Sequence, residues 1–262
     1  MVRFHGQSDT YLLWKGARMI DFMPFIGDGC GNTFLVLSQR YCDRHADDHI
    51  RRLWKATGVD SVLILQKSLR GDIRMLVPGN DGIRGDESGE FCGNGARVAA
   101  AFYLRHLGQS PVIESRGGVL FPTIVEESAV SVEFPLPEER GGIVLAGGEP
   151  HVRTARKMTP PELMRFCNGR SRRVSANRVA ICSSLHLLVQ TFEHSINKFT
   201  GCCGTGCIAM AYLAYRERRV ERRVTVEAPG GQLNVDIRPS CIIMSGPVRL
   251  IGSMEQWITD QT

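Results

Sequence analysis

The sequence predicts an α/β fold of two pseudo-symmetric, sheet-rich halves, each wrapped around one central helix. Three observations lead there. Short apolar runs, separated by Gly, Pro and acidic turn residues, recur through both halves. Each half also holds one helical segment that is apolar or small on nearly every side, Ala96 to Leu104 and Cys207 to Tyr215, and a helix of that kind is a buried one. Both segments open on the same pattern, Cys92-Gly93-Asn94-Gly95 and Cys203-Gly204-Thr205-Gly206, as a duplicated architecture would.

Taken in order, His45 to Lys55 reads as a helix, with Ile50, Leu53 and Trp54 at helical spacing and Gly58 as its stop. Ser61 to Leu65 and Ile73 to Val77 follow as strands, and the first buried helix spans Gly93 to Leu107. Val119 to Val125 and Ala129 to Phe134 form a hairpin around Glu126-Glu127-Ser128. The second half repeats the texture with strands at Arg178 to Ser183 and Leu185 to Phe192, and the second buried helix at Gly204 to Arg219. Strands at Val224 to Glu227, Gln232 to Ile237, Cys241 to Met244 and Val248 to Ile251 close the chain. The Pro135 to Gly142 stretch supplies the boundary, giving a first domain over 1–137 and a second over 138–250, with the tail 251–262 open to returning to the first.

Composition narrows the function classes. The chain of 262 residues is 43% hydrophobic and 23% charged, enough for a core without disulfides. Nine cysteines is an odd number for a disulfide framework and argues for reduced thiols. No apolar run reaches the roughly 18 residues of a membrane span, and Met1 to Lys15 lacks an apolar signal core, so the expectation is a cytoplasmic protein without a membrane partner. The net charge of +5 is not gathered on a face: the Arg216 to Arg223 cluster contains Glu217 and Glu221 and reads as a solvated helix end, which excludes nucleic acid as the expected partner.

The paired pattern carries the chemistry. A cysteine at a helix start has its thiolate favoured by unpaired backbone N–H groups and the positive end of the helix dipole, which lowers its pKa. The glycines let a ligand approach that backbone, and the same N–H groups bind a carboxylate. A single Cys-Gly-Xaa-Gly is ordinarily a turn with a buried small thiol. Two of them face to face would hold a carboxylate between two thiols, one on either side of its α-carbon: one thiolate removes the α-proton and the opposite thiol returns one, which inverts an α-amino acid. Cys30, Cys42, Cys167, Cys182, Cys202, Cys207 and Cys241 read as ordinary small apolar residues. The spacing of Cys202, Cys203 and Cys207 does not suit zinc, and no lysine has the setting of a pyridoxal Schiff base, so neither metal nor cofactor is expected.

These residues resemble the diaminopimelate epimerases, cofactor-independent racemases and epimerases with two α/β domains and a catalytic cysteine from each. Gly29-Cys-Gly-Asn-Thr-Phe34 is similar to the family's Gly-Xaa-Gly-Asn-Asp-Phe, which implies Asn32 at the substrate. Glu90-Phe-Cys-Gly-Asn-Gly-Ala-Arg97 resembles the first catalytic loop, implying Cys92 as acid/base and Gly93 and Asn94 as carboxylate binders. Thr200-Gly-Cys-Cys-Gly-Thr-Gly206 resembles the second, implying Cys203 as partner with Gly204 and Thr205 as the other clamp. Gly148-Glu-Pro-His-Val152 is similar to Gly-Asn-Pro-His-Val, Asn177 stands where the family has a substrate-binding Asn, and Pro229-Gly-Gly-Gln-Leu233 fits the closing hairpin. His151 itself reads as a packed loop histidine.

The resemblance breaks at the far end of the substrate. The family's Glu-Arg-Gly, whose Arg grips a distal carboxylate, is replaced by Glu193-His194, and the Asn of Gly-Asn-Pro-His by Glu149. Losing an arginine and gaining a carboxylate reverses the preference for a distal group. The expected substrate is therefore an amino acid with a neutral or cationic side chain such as histidine, the histidine racemases of the superfamily being a precedent. An ordinary diaminopimelate epimerase, with Arg153 or Arg178 supplying the lost charge, is the alternative. A non-catalytic amino-acid-binding protein is the alternative of another class, and the paired thiols argue against it. The partner is a small-molecule amino acid, and a homodimer is left open.

Overall fold

Alternating burial over short segments makes strands the main element of this chain, and a computed structural model describes residues 21–78, 91–115, 118–126, 129–155, 158–169 and 173–260. In chain order the elements are β1 (Phe25–Gly29), β2 (Thr33–Ser38), α1 (Gln39–Arg44), α2 (Asp47–Thr57), β3 (Ser61–Lys67), β4 (Ile73–Leu76), α3 (Gly93–Leu107), β5 (Val112–Glu114), β6 (Leu120–Val125), β7 (Val130–Pro135), β8 (Glu138–Arg140), β9 (Ile143–Ala146) and β10 (Glu149–Arg153). There follow α4 (Pro160–Asn168), β11 (Ser175–Ser183), β12 (His186–Glu193), β13 (Lys198–Phe199), α5 (Gly204–Arg216), β14 (Arg223–Ala228), β15 (Gly231–Ile237), β16 (Cys241–Gly246), β17 (Val248–Ser253) and α6 (Met254–Thr259).

Strand pairing runs without a break from one half to the other. From β17 it passes to β1, β2, β3, β4, β5, β6 and β7. It then crosses to β16 and continues through β15, β14, β12, β11, β10, β9 and β8. The sheet curls first over α3, which packs on β1, β17, β6 and β7, and then over α5, which packs on strands from β9 to β16. Both helices present small residues to it, Ala96, Ala99 and Ala100 in one and Cys207, Ala209 and Ala211 in the other, all completely buried. Strands β1 to β3 are covered on both faces. Phe25, Phe34 and Val36 face the α3 core, while Ile26, Leu35 and Leu37 alternate outward to pack with Ile50, Val62 and Met254 beneath α1, α2 and α6.

The helix stops follow from glycine. Gly58 and Gly108 adopt φ of 65° and 73° and cap α2 and α3. The second buried helix ends at Arg216, three residues before the expected Arg219, because Arg218 turns to φ 58°. The Pro135 to Gly142 stretch carries β8, which folds back on β9, so it is a hairpin arm and not an open linker. Strand β7, early in the chain, hydrogen-bonds to β16, and the tail places β17 against β1 and α6 against α2. Among the described residues no helix is long and apolar enough to cross a membrane.

Candidate active site

Helices α3 and α5 begin alike. Cys92 is the N-cap of α3 with φ −95° and ψ 106°, and Cys203 the N-cap of α5 with φ −100° and ψ 106°. Space after each cysteine is tight, more so at Gly93 than at Gly204. A Cβ on Gly93 would come 2.8 Å from Met244 Cε and 2.9 Å from Phe134 Cζ, and one on Gly204 would come 3.2 Å from the same Cε. One methionine of the crossover strand β16 thus lies beneath both helix starts and brings them together. Both thiols line a single cavity with Gly93, Gly204 and Thr205.

The rest of the cavity comes from both halves. Asn32, Phe34, Trp54 and Asp60 stand on one side, and Glu149, His151, Ser175 and Glu193 on the other. Asn32 is set by the turn between β1 and β2, where Cys30 and Gly31 take φ of 63° and 73° and Gly31 N–H donates to Asp28 Oδ1 at 2.9 Å. That turn is packed backbone to backbone: a Cβ on Gly31 would lie 2.6 Å from the Gly230 carbonyl, and Gly230 N–H donates to Gly201 O at 2.7 Å. The loop carrying Cys202 and Cys203 is therefore clamped between the first turn and the β14–β15 hairpin.

Electrostatics differ from the expectation that helix starts lower the thiol pKa values. Burial dominates at both. Cys92 is pushed up to about 12, although the Gly95 N–H, 3.4 Å from its sulfur, pulls the other way. Cys203 is raised well above the ordinary 9.0, with the Thr205 hydroxyl opposing. The Glu193 carboxylate raises both, and its Oε1 accepts from Thr200 Oγ1 at 3.1 Å. At both sulfurs desolvation outweighs the stabilisation a helix start offers.

His151 is a constituent of the cavity, which its reading as a packed loop residue did not capture. It is 1% exposed, with Nε2 3.0 Å from Thr205 Oγ1 and Nδ1 3.3 Å from Asn177 Nδ2. Since the Asn177 amide can only donate there, the network assigns the ring proton to Nε2, which donates to Thr205. Burial, with His194 nearby, lowers its pKa to about 3, so the ring is neutral at neutral pH. Thr205 Oγ1 lies 3.5 Å from Cys203 Sγ, completing a chain from Asn177 through His151 and Thr205 to the thiol.

The structure gathers Asn32, Cys92, Gly93, Glu149, Glu193, Cys203, Gly204 and Thr205 on one cavity. Three other candidates stand behind it. Asn94 is fully buried and donates from Nδ2 to the Cys202 carbonyl at 2.8 Å, so its side chain ties the two cysteine-bearing loops together and leaves only its backbone for a ligand. The Asn177 amide is taken up by His151, Val152 O and Ser175 O, and its Oδ1 accepts from Thr191. His194 is buried with Nδ1 3.1 Å from Ser175 Oγ, on the far side of a residue that does line the cavity. Neither arginine considered as a replacement cation is on the cavity wall: Arg153 forks onto Glu217 at 2.6 and 2.7 Å, and Arg178 lies over the Phe199 ring. Trp54, Asp60 and Ser175 carried no sequence signal, since each joins the cavity through packing of distant segments. Ser88 to Glu90 and the first twenty residues lie outside the described residues. Among the described residues no group of three His, Cys, Asp or Glu is arranged to hold a metal ion.

No family model matches the chain. It is similar to a diaminopimelate epimerase of Magnetococcus marinus, 24% identical over 84% of this chain and 91% of the relative. Among solved structures it is similar to a phenazine biosynthesis protein of the PhzF family from Enterococcus faecalis, with a TM-score of 0.61 at 15% identity over 87% of this chain and 96% of that one. It is also similar to a hydroxyproline epimerase from Agrobacterium vitis with bound trans-4-hydroxy-L-proline, with a TM-score of 0.58 at 13% identity over 90% of each chain.

Proposed function

We propose that this chain, which belongs to the diaminopimelate epimerase-like superfamily, is a cofactor-independent isomerase that inverts the α-carbon of an amino acid between Cys92 and Cys203. The observation that carries the reading is the pair of thiols at equivalent N-cap positions, on two buried helices that open onto one cavity. The N–H groups after each cysteine bind the α-carboxylate and take up charge as the carbanion forms. Glu193, whose charge reaches both sulfurs, receives the α-ammonium. That ammonium cancels the carboxylate's effect on the thiols and favours a thiolate only when substrate is seated. One thiolate then takes the α-proton and the opposite thiol protonates the other face. Thr205, held by His151, orients the Cys203 sulfur.

The distal group is neutral or cationic in this reading, as in histidine. Support comes from Glu149 on the described lining, where no Lys or Arg is found, with Asp60, which also faces Lys198 at 3.8 Å, as a second carboxylate. The diaminopimelate epimerase reading draws on the name of the sequence relative. Proton NMR in D2O separates them: loss of the α-proton signal is followed for L-histidine, other L-amino acids and LL-diaminopimelate, with Cys92→Ser and Cys203→Ser as controls. Exchange of a monocarboxylate alone supports the altered distal pocket. Exchange of diaminopimelate alone overturns it, and no exchange in any substrate under reducing conditions overturns the racemase reading.

A further inference from the structure

Arg97 is the largest fully buried side chain among the described residues. It lies on α3, one turn beyond Asn94, and makes no ion pair among the described residues. Its Nη2 donates to Asn94 Oδ1 at 2.8 Å and its Nη1 to the Pro247 carbonyl at 2.9 Å, while Nε is buried with no hydrogen-bond partner. Burying a guanidinium without a carboxylate is costly, and a fold that keeps one there gains something other than stability from it. The hydrogen bonds say what it reaches. Asn94, fixed by Arg97, spends its own amide on the Cys202 carbonyl, one residue before Cys203. The guanidinium also lies against β16, where a Cβ on Gly246 would come 2.7 Å from Nη1, two residues from the Met244 that underlies both helix starts.

We propose that Arg97 is a positioning residue for the reaction: acting through Asn94, whose amide holds the Cys202 carbonyl, it sets the spacing of the two thiol-bearing helix starts. The inference rests on the two-thiol reading above. Burial dominates at Arg97 and draws its pKa down, while the thiols of Cys202, Cys30, Cys92 and Cys207 around it act in the opposite sense. Glu193 from β12 is the opposing charge on Cys92 and Cys203. Burial is the largest influence on the Cys92 thiol and raises it; the Arg97 charge is a smaller downward pull on that thiol, opposed by Glu193.

The test compares the full-length wild type with Arg97→Met, Arg97→Lys and Asn94→Ala, each checked for folding by circular dichroism. One readout needs no substrate: the pH dependence of iodoacetamide alkylation at Cys92 and Cys203, resolved by peptide mass mapping. The other is kcat and KM for α-proton exchange. Arg97→Met keeps the bulk and loses both hydrogen bonds, so kcat is expected to fall about tenfold or more with KM little changed, while loss of the charge moves the Cys92 midpoint upward. Arg97→Lys keeps the charge but cannot span Asn94 Oδ1 and the Pro247 carbonyl at once, so its midpoint stays near wild type while kcat falls about tenfold or more with KM little changed. Asn94→Ala leaves the arginine in place and reproduces the kcat loss if Arg97 variants fail to fold. A folded Arg97→Met with unmoved midpoint and unmoved kcat overturns the proposal, as does an Asn94→Ala enzyme with wild-type kcat. If the wild type exchanges no α-proton, the racemase reading fails while the alkylation curves still decide the electrostatic role.

Discussion

Replacing Thr205 by valine should damage both the fold and the Cys203 thiol, by amounts that the geometry bounds. Thr205 is 5% exposed, and its hydroxyl stands 3.0 Å from His151 Nε2 and 3.5 Å from Cys203 Sγ. Valine fills nearly the same volume but leaves the buried His151 N–H without its partner, a loss of about 1–3 kcal/mol. For a chain of this size that is a fall in Tm of roughly 2–10 °C. Because the hydroxyl favours the Cys203 thiolate, its removal pushes that thiol further up, and alkylation of Cys203 then requires higher pH. Combining Thr205→Val with His151→Phe replaces both partners by apolar groups. The desolvation loss is then incurred once, so the double variant should be more stable than the sum of the singles by about 1 kcal/mol. Thermal and denaturant unfolding of the four proteins measure the cycle. Additivity within about 0.5 kcal/mol, together with an unmoved Cys203 alkylation curve, would refute the relay.

Three further outcomes follow from the same geometry. His151 binds a proton near 6.5 when unfolded and only near 3 when folded, so its contribution to stability is fully present above pH 6.5 and is lost as pH falls toward 3. A His151→Gln variant should flatten that acid limb by up to about 1.4 kcal/mol per pH unit, read from Tm against pH. Glu193→Gln removes the charge that raises both thiols and should move the alkylation curves of Cys92 and Cys203 to lower pH, while KM for an amino acid rises; a change at one thiol only would count against a shared carboxylate. Gly93→Ala drives a Cβ into Phe134 and Met244 and should cost about 1–3 kcal/mol by overpacking, with Met244→Ala as a partial rescue in unfolding experiments.

Local signals carried much of the architecture. Gly93–Leu107 could be bounded from sequence because the Cys-Gly pattern starts it and Gly108 ends it, and the hairpin of β6 and β7 because alternation flanks an acidic turn. Strands β1, β2 and β8 to β10 went unread. The first two are buried on both faces and show no clean alternation, and the others sit among Gly and Pro that mimic a linker. The identity of the paired thiols was likewise legible, since chemistry repeated at a fixed offset from two glycines is a one-dimensional pattern.

What the tertiary structure alone decided is what surrounds those thiols. Asn94 and Asn177 have residue types suited to a ligand, yet both spend their amides inside the protein because Cys202 and His151 are brought against them from other segments. The direction of the thiol pKa values reversed for the same reason: a helix start is a local feature visible in sequence, whereas the burial that outweighs it is a sum over strands from both halves. Arg97 shows the limit most plainly. In the sequence it is one arginine following a motif, and only the crossing of β16 beneath two helices makes it a buried cation held by Asn94 and the Pro247 carbonyl, and through Asn94 linked to the Cys202 loop.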